Sequence, residues 1–300
     1  MKNSLFKILV YFRRYFNNTG IGKVPFVLRT YKYFFKNLKP SGLTKIKIHD
    51  FMILIEADEI GMAPQLLEKG VYEPFETLQV NSILKSGDVF VNIGANFGYY
   101  TLLASKLVGQ TGKVYAFEPE PKNLFLLKNN VTQNNLKNVE VSDFAVSNQD
   151  GLQLDLYTDQ KNIGNPSLSL RNIPNLMGHV RVQTITLDSY FKDSGLPEIN
   201  LIQMDTQGSE GNIIDGAAEL IQKYHPVIIM EFWPYGLKNL GTEASSLLKK
   251  MSAFGYSRMV LNEQEGCLID LTDEEIINKC LANKNGKGFT NLLFKYQGIR

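Results

Sequence analysis

A glycine-containing turn and a set of carboxylates are the parts of this sequence that could carry chemistry. Gly94 and Gly98 enclose a short loop within 88–98, between an apolar run and a pattern of helical periodicity. Glycine lets the backbone approach a ligand closely, and the amides at a helix N-terminus are free to bind it. Acidic residues follow three apolar runs, at Glu118, Asp205 and Glu231. This spacing predicts a ligand site, because such sites form at the carboxyl ends of parallel strands.

The acidic residue after the second apolar run suits a ribose. Glu118 lies between Phe117 and Pro119, and a carboxylate at such a strand end can accept both ribose hydroxyls. The third run ends near Asp143 and Phe144, which could accept from an adenine amino group and stack on the base. Each feature also has an alternative interpretation. Asp143 could be a turn-forming carboxylate. The glycine loop on its own could be a tight strand-to-helix turn that binds no ligand. The combination favours a ligand that contains a nucleoside.

The loop also distinguishes among nucleosides. Dinucleotide sites favour Gly-x-Gly-x-x-Gly, whereas Gly94 and Gly98 here enclose Ala95 and Asn96 without a third glycine. No Lys-Ser or Lys-Thr pair follows, so the phosphate-cradling loop of nucleoside triphosphatases is excluded. S-adenosyl-L-methionine joins an adenosine to an amino acid and a sulfonium and carries no phosphate. The loop therefore predicts this cofactor, with a nicotinamide-dependent oxidoreductase as the alternative.

Alternating strands and helices must position these residues. Strands are predicted over 89–93, 113–117, 139–141, 199–204, 227–231, 257–261 and 291–296, and helices over 74–86, 99–107, 122–134 and 243–254. The stretch 152–182 is predicted to be irregular and polar. Repeated strand–helix units of this size predict a mostly parallel sheet with helices on both faces. The expected fold is α/β and Rossmann-like, with one domain over 73–300 and a separate N-terminal segment over 1–72.

Six short motifs occur along the chain, namely Gly70-Val-Tyr-Glu73, Gly94-Ala-Asn-Phe-Gly-Tyr-Tyr-Thr101, Phe117-Glu-Pro119, Thr184-Ile-Thr-Leu-Asp188, Met204-Asp-Thr-Gln-Gly-Ser-Glu210 and Asp215-Gly-Ala217. In these motifs the chain resembles the FkbM family of S-adenosylmethionine-dependent methyltransferases. The resemblance implies a class I methyltransferase fold with a seven-stranded sheet, and O-methylation of sugar or natural-product hydroxyls. Together, the residues and the resemblance predict cofactor contacts from Asn92, Gly94, Ala95, Asn96, Gly98, Tyr100, Thr101, Glu118, Asp143, Phe144 and Asp205.

Asn92 departs from the family pattern, which usually has an aspartate at this position. An amide oxygen still accepts a hydrogen bond, but the negative charge that would face the cofactor's ammonium is lost. Charge-assisted hydrogen bonds contribute about 1.5–3 kcal/mol, against about 1 kcal/mol for neutral ones. We therefore expect cofactor binding to be about tenfold weaker than with aspartate. The same residue leaves a non-enzymatic scaffold with this fold open as an alternative.

The carboxylates after the later strands are candidates for handling the acceptor. Methyl transfer from a sulfonium is a direct displacement that needs an aligned nucleophile, and a hydroxyl acceptor benefits from a general base. Asp205 is the first candidate for a catalytic role, and Glu231 and His179 are further candidates. The only tryptophan, Trp233, lies close to Glu231 in the sequence and could stack on a sugar ring. The predicted acceptor is therefore a hydroxyl of a sugar, glycan or glycolipid.

Each of these residues also has a structural interpretation. Asp205 and Glu210 could cap the following helix, and Glu231 could be an ordinary strand-end residue. A single histidine such as His179 is more often structural or solvated than catalytic. Asp205 with Glu231 could hold a divalent ion, but their spacing does not require one, and no metal is predicted.

The N-terminal segment is basic and aromatic. Residues 1–47 hold eleven of the 32 Lys and Arg residues and no Asp or Glu, and 1–40 interleave cations with ten aromatic residues. A helix is predicted around 5–16 and a strand pair within 45–72. Such a segment suits an anionic membrane surface, a cap packed on the catalytic domain, or polyanions such as RNA. No recognisable nucleic-acid module is present, so no nucleic-acid partner is expected.

Composition excludes several classes of protein. No apolar run approaches the roughly 18 residues of a membrane-spanning helix, and the N-terminus lacks the apolar core and cleavage site of a signal peptide. Two cysteines, Cys267 and Cys280, are too few for a disulfide framework. The expected protein is cytoplasmic and peripheral at the membrane through 1–40.

Overall fold

The chain folds into two compact units, Met1–Tyr72 and Glu73–Arg300. The computed structural model describes residues 2–17, 24–160, 162, 165–192 and 198–298. Residues 18–23 of the predicted N-terminal segment therefore lie outside the described residues. Within the described ranges, no helix combines the length and the apolar character needed to cross a membrane.

The first unit consists of two helices, a β-hairpin and a short third helix. Its elements are α1 (Lys2–Asn17), α2 (Pro25–Leu38), β1 (Leu43–Ile48), β2 (Phe51–Glu56) and α3 (Ala63–Lys69). The helix predicted around 5–16 and the predicted strand pair are confirmed as α1 and the antiparallel β1–β2 hairpin. Pro25 starts α2, where its missing N–H has no helical partner to lose. Phe6 of α1 and Phe35 of α2 pack with their ring centroids 5.3 Å apart.

The second unit is built on an eight-stranded sheet. In sheet order its strands are β12 (Cys267–Ile269), β11 (Tyr256–Asn262), β13 (Thr290–Tyr296), β10 (Val227–Phe232), β9 (Leu201–Met204), β3 (Val89–Ile93), β4 (Lys113–Phe117) and β5 (Val139–Ser142). The five strands from β10 to β5 are parallel, and β13, β11 and β12 pair antiparallel. The predicted α/β class with a largely parallel sheet is confirmed, and β12 is an eighth strand beyond the seven expected.

The strand order creates a switch point between β3 and β9. The chain leaves β3 in one direction through β4 and β5, and later adds β9 and β10 on the opposite side of β3. Ligands of open α/β sheets bind in the crevice at such a point, outside the carboxyl ends of the strands. Strand β9 is buried over its whole length, as expected of a parallel strand covered on both faces.

Helices occupy most of the connections between the strands of the sheet. They are α4 (Pro74–Ile83), α5 (Tyr99–Val108), α6 (Pro121–Gln133), α7 (Leu187–Lys192), α8 (Glu210–Asp215), α9 (Ala218–Tyr224), α10 (Pro234–Asn239), α11 (Ala244–Ala253) and α12 (Asp273–Ala282). The N-cap side chains of α6 and α12 accept backbone N–H groups of their helices. Glu120 accepts the N–H of Asn123 at the start of α6, and Pro121 supplies the first turn. Helix α12 was not predicted, although Thr272 and Glu275 form a capping box there.

The prediction of an irregular stretch over 152–182 is wrong at both ends. β7 (Gln153–Asp159) and β8 (Leu176–Ile185) form an antiparallel hairpin, and β6 (Ala145–Val146) pairs with β8 in a separate three-stranded sheet. Most of β8 alternates between exposed and more buried residues, as expected of a strand with one solvated face, so it lacks a continuous apolar run. Pro166 and Pro174, which suggested irregular structure, lie in the connection between β7 and β8.

Candidate active site

The loop between β3 and α5 packs tightly against its neighbours. Gly94 has φ of +77°, and a Cβ at this position would collide with the carbonyl oxygen of Asp205. The amides of Gly94 and Ala95 both donate to the carbonyl of Phe117, at 3.0 and 2.9 Å. The loop after β3 is thereby fixed to the ends of β4 and β9, and the predicted ligand-binding elements meet there.

The remainder of the loop leads directly into α5. Asn96 has φ of +52°, and its side-chain oxygen accepts the N–H of Phe97 at 2.8 Å. Helix α5 starts at Tyr99, immediately after Gly98. The first-turn amides of a helix have no carbonyl partner within the helix, so this end of α5 presents donors towards the switch point.

Glu118 at the end of β4 binds backbone amides through both carboxylate oxygens. One oxygen accepts the N–H of Asn96 at 2.7 Å, and the other accepts the N–H of Glu120 at 2.9 Å. Burial raises the pKa of Glu118 to about 8, although these two hydrogen bonds act in the opposite direction. Each oxygen keeps a second lone pair. Glu118 can therefore hold the glycine loop and accept ribose hydroxyls at the same time.

Asn92 lies in the centre of the sheet, opposite Gln203 of β9. Its amide nitrogen donates to the side-chain oxygen of Gln203 at 2.5 Å, and its amide oxygen accepts the hydroxyl of Thr101 at 2.8 Å. Gln203 in turn donates to Glu76 at 3.3 Å, and Asn291 donates to the same carboxylate at 2.6 Å. Two predicted cofactor residues, Asn92 and Thr101, are thus joined in a buried chain of hydrogen bonds that ends at Glu76.

Replacing Asn92 with aspartate is expected to affect cofactor binding and folding in opposite directions. The added charge should tighten binding of S-adenosyl-L-methionine by about tenfold, measured by calorimetry. The same change removes the donor to Gln203, which should lower the free energy of unfolding by about 1–3 kcal/mol. The double variant Asn92→Asp/Glu76→Gln should keep the tighter binding and regain stability, because only one carboxylate then remains in the chain. Weaker cofactor binding in both variants would contradict the charge argument.

Asp205 and Glu231 meet at the ends of β9 and β10. The side-chain nitrogen of Gln207 donates to Asp205 at 2.7 Å and to Glu231 at 3.0 Å, so one amide group bridges both carboxylates. Gln207 has φ of +54°, and its carbonyl oxygen accepts hydrogen bonds from Ser167 and Asn172, both at 2.9 Å. Asp205, Gln207 and Glu231 are all partly exposed, so an acceptor molecule can reach the bridged pair.

Two further glutamates face this pair, and neither was among the predicted site residues, although Glu73 ends the Gly70–Glu73 motif. Glu73 accepts the hydroxyl of Tyr100 at 3.3 Å, and Glu76 ends the buried chain described above. Burial raises the pKa of Glu76 to about 8, and the nearby charge of Asp205 acts in the same direction. Burial likewise raises the pKa of Asp205, whereas the hydrogen bond from Gln207 lowers it. Two acidic residues at the start of α4 were the available signal, but only the fold brings them to β9.

These carboxylates form a cluster, and few positively charged side chains lie near it. Burial, followed by the charges of Asp205, Glu210 and Glu73, raises the pKa of Glu231 well above its ordinary value. In the described part of the chain, no ion pair involves any of these side chains. The same part contains no group of three or more histidine, cysteine or carboxylate side chains arranged to hold a metal ion. Carboxylates with raised pKa values are better proton acceptors than ordinary ones, which suits general-base chemistry.

Glu210 is the first residue of α8, but its side chain does not cap that helix as the sequence suggested it could. One of its oxygens accepts both the N–H and the hydroxyl of Thr206, each at 2.9 Å, and burial raises its pKa to about 7. Glu210 therefore stabilises the loop after β9. The side chain of Asp205 accepts from Gln207 and likewise from no amide of that helix.

The remaining candidates lie in two places. Asp143 is exposed and Phe144 is half-buried, directly after β5, and both stay predicted cofactor contacts. His179 lies in β8, where its imidazole is 3.9 Å from Asp155 and its ring centroid is 5.9 Å from that of Tyr157. These contacts belong to the three-stranded sheet. Among the described contacts, none joins His179 to Asp205 or Glu231, and its catalytic role stays a prediction.

Comparison with known proteins identifies the family. The family model described as the methyltransferase FkbM domain matches residues 92–258, which is more than half of the chain. The chain belongs to this family. 2-O-methyltransferase NoeI of Sinorhizobium fredii is 30% identical over 171 residues, which cover 52% of this chain and 70% of NoeI.

Solved structures similar to this FkbM-family chain include other methyltransferases. Methyltransferase FkbM from Methylobacillus flagellatus has 14% identity and a TM-score of 0.42, covering 73% of this chain and 50% of that chain. A SAM-dependent methyltransferase from Aquifex aeolicus has 16% identity and a TM-score of 0.40, covering 77% of this chain and 92% of that chain.

As a member of the FkbM family, the protein is an S-adenosylmethionine-dependent methyltransferase. Family membership favours methyl transfer over the two alternatives, nicotinamide-dependent oxidoreduction and a non-enzymatic scaffold. The residues present fit the cofactor in two respects. Gly94 leaves no side chain at the point where the loop meets Asp205. Glu118 holds two carboxylate oxygens, each with a spare lone pair, at the end of β4, the position from which an acidic residue binds ribose in related α/β folds.

Proposed function

We propose that the enzyme methylates a hydroxyl group of a sugar, carried on a glycan or a glycolipid. The observation that carries this proposal is the pair of carboxylates, Asp205 and Glu231, bridged by Gln207 beside the Gly94 loop. A hydroxyl loses its proton as it accepts a methyl group, and a carboxylate with a raised pKa suits that proton. The name of the relative NoeI, a 2-O-methyltransferase, supports oxygen as the acceptor atom.

The site residues divide the work between binding and proton transfer. The bound cofactor supplies an activated methyl group on its sulfonium. Asp205, whose backbone contacts the glycine loop, is the group best placed to accept the proton, and Glu231 orients the same hydroxyl. Gln207 keeps the two carboxylates at a fixed separation, so the acceptor oxygen is aligned before transfer.

An aromatic surface beside the carboxylates supports a sugar as the acceptor. Trp233 follows β10 directly and is partly exposed, and its ring centroid lies 5.7 Å from that of Tyr235. A flat apolar surface next to hydrogen-bonding carboxylates suits a molecule with an apolar face and a polar rim. A sugar ring has both.

Product analysis by mass spectrometry tests this proposal. The full chain, S-adenosyl-L-methionine and a panel of glycans and glycolipids should yield a product heavier by one methylene unit. A trideuterated methyl donor should shift the product mass accordingly, and fragmentation should place the methyl group on a sugar oxygen. Methylation on nitrogen or carbon would overturn the proposal, as would methylation of a non-sugar hydroxyl with none on any glycan.

We further propose that the first unit binds the enzyme to anionic membrane surfaces. A mainly apolar groove of about 250 Å³ runs between α1 and α2, and its lining residues are Leu9, Phe12, Arg13, Phe26, Val27, Thr30, Tyr31 and Phe34. Tyr11, Phe26 and Tyr33 are 66–77% exposed. An exposed apolar patch of this kind marks a protein or membrane interaction site, and each adjacent cation adds about 1 kcal/mol on an anionic surface.

Vesicle sedimentation tests the membrane proposal. The full chain should sediment with anionic vesicles at low salt, release at high salt, and bind neutral vesicles weakly. The triple variant Arg29→Glu/Lys32→Glu/Lys36→Glu should lose this binding, because these exposed cations of α2 would become repulsive. The matched control Lys128→Glu/Lys249→Glu/Lys279→Glu changes net charge equally in the second unit and should still bind. A chain that begins at Ser41 should not bind, and failure of the full chain to bind anionic vesicles would overturn the proposal.

A further inference from the structure

The loop between α12 and β13 is basic and lies close to Glu231. Its residues Lys284, Asn285 and Gly286 have φ of +48°, +56° and +81°. Left-handed residues other than glycine are uncommon and persist where the surrounding structure holds them, often at functional sites. The ammonium of Lys284 lies 4.5 Å from the centroid of the Phe289 ring. Strand β13 follows this loop, and its residue Asn291 pairs with Glu231 of β10, which places the loop beside that carboxylate. Burial raises the pKa of Glu231, and the charge of Lys284 acts in the opposite direction.

Aromatic rings next to this loop form a fixed surface. The indole nitrogen of Trp233 donates to the carbonyl of Lys287 at 3.1 Å. The Trp233 ring packs directly on Gly236, where a Cβ would collide with the indole. The hydroxyl of Tyr235, the neighbouring ring, donates to the carbonyl of Arg171 at 3.3 Å. Gly236 packs on one face of Trp233 and the Lys287 ammonium lies over one face of Tyr235. Because both rings are also held at their edges, their other faces are fixed in place for a ligand.

Two ammonium groups accompany these rings. The ammonium of Lys287 lies 4.6 Å from the centroid of the Tyr235 ring, and that of Lys284 lies over Phe289. Both lysines are exposed, and neither takes part in an ion pair among the described residues. A lysine ammonium carries three donors, so each can bind an anionic group while it remains over its ring.

We propose that Trp233, Tyr235, Lys284 and Lys287 form a subsite for an anionic sugar. The sugar ring lies on the aromatic surface, and its carboxylate or phosphate group binds the two ammonium groups. This inference rests on the proposed function, in which the acceptor is a sugar, and it adds the charge class of that sugar.

The charges around the site favour one orientation of the bound sugar. Glu73 and Glu76 also lie near the pair, and in their ionised forms these glutamates, Asp205 and Glu231 repel an anion. An anionic group therefore binds at Lys284 and Lys287, while a neutral hydroxyl of the same sugar can approach the carboxylates. The contrast both attracts the correct end of the acceptor and excludes the reversed orientation.

Trp233 provides the measurement, because it is the only tryptophan in the chain. The full chain is titrated with glucuronate, glucose 1-phosphate and glucose while tryptophan fluorescence is recorded at low and high salt. We expect a saturable change with at least one anionic sugar, weakened by salt, and a weaker response to glucose. Whichever of glucuronate and glucose 1-phosphate binds more tightly identifies the preferred anionic group, carboxylate or phosphate.

A pair of matched lysine variants locates the subsite. Lys284→Gln/Lys287→Gln should weaken binding of the anionic sugar by about tenfold or more, the effect of losing charge-assisted bonds, and should leave glucose binding unchanged. Lys249→Gln/Lys279→Gln removes two exposed lysines elsewhere in the same unit and should bind as the unaltered chain does. The conservative variant Lys284→Arg/Lys287→Arg should retain the preference for the anionic sugar. Thermal unfolding of all three variants confirms that they fold.

Several outcomes would overturn the proposal. They are equal binding of glucose and both anionic sugars, unchanged binding by the Lys284→Gln/Lys287→Gln variant, or absence of any saturable response. Equal binding of all three sugars would leave the proposed methylation of a sugar hydroxyl intact and remove only the anionic preference. A methylated product that contains no sugar would overturn both, so the two proposals can fail separately.

Discussion

Asp205→Asn is expected to reduce turnover by about 10²–10⁴-fold, the usual contribution of a general acid–base group. The amide is close in size to the carboxylate and keeps an oxygen for Gln207, but it cannot accept the proton of the acceptor hydroxyl. Affinity for S-adenosyl-L-methionine should barely change, because Glu118 is the residue predicted to bind the ribose. Steady-state kinetics with the identified acceptor, beside calorimetry with the cofactor, measures the two quantities separately.

Asp188→Asn is a matched control for this result. Asp188 accepts the N–H groups of Glu219 and Leu220 at 3.0 and 2.9 Å, so it performs the capping role that was the alternative for Asp205. The control should lower the melting temperature and leave turnover per folded molecule unchanged. If Asp205→Asn behaves in the same way, Asp205 is a structural residue and the general-base assignment fails.

The pH profile gives a second readout on Asp205. Burial raises the pKa of this carboxyl, and the Gln207 hydrogen bond only partly opposes the effect. A general base acts in its deprotonated form, so kcat should rise with pH as Asp205 loses its proton and should level off above the raised pKa. The residual activity of Asp205→Asn should lack this rise. Glu73, Glu76, Glu118, Glu210 and Glu231 also titrate at raised pKa values in this site, so the comparison of the two profiles assigns the step.

At a pH above about 8, where Glu118 is ionised, Glu118→Ala is expected to weaken binding of S-adenosyl-L-methionine by about 2–3 kcal/mol. This is the range for losing hydrogen bonds to a charged acceptor. Two causes act together in this variant. The ribose loses its acceptor oxygens, and the amides of Asn96 and Glu120 lose the partners that fix the glycine loop. Calorimetry with the cofactor measures the loss, and turnover at saturating cofactor should fall less than it does in Asp205→Asn.

Two comparisons make the Glu118 result specific. Glu274→Ala removes an exposed glutamate of the first turn of α12 and should leave cofactor affinity unchanged. Glu118→Gln retains one acceptor oxygen and should bind more tightly than Glu118→Ala. Cofactor affinity in Glu118→Ala equal to that of the unaltered chain would remove Glu118 from the binding site.

The strands at the centre of the sheet were predictable because their apolar runs end at recognisable breaks. Strands β3 and β4 have the bounds predicted for them, since each is a buried run closed by Gly94 or by Pro119. The β7–β8 hairpin was missed because its strands have a solvated face and alternate polar with apolar residues. Helix α12 was missed because only Ile276 and Cys280 are buried, which is too few to give a clear helical pattern of apolar residues.

The sequence pattern identified candidate residues for the site, but it did not identify the contacts between them. Gly94, Glu118, Asp205 and Glu231 follow strand ends, which is a local signal that the fold brings to one edge. The bond between Asn92 and Gln203 depends on the register of β3 against β9, and 110 intervening residues separate the two in sequence. Contacts of such separation leave no periodic pattern, so the chain from Thr101 to Glu76 could only be found in the structure.

The lack of space for a side chain at Gly94 limits which substitutions this enzyme can accept as its acceptor specificity evolves. A side chain there would push on the carbonyl of Asp205. The loop predicted to bind the methyl donor and the residue proposed to deprotonate the acceptor therefore share one backbone contact. An alteration on the donor side at this position is therefore transmitted to the acceptor side. New acceptors are more easily accommodated through the side chains of Trp233 and the Lys284 loop, which lie beyond this shared contact.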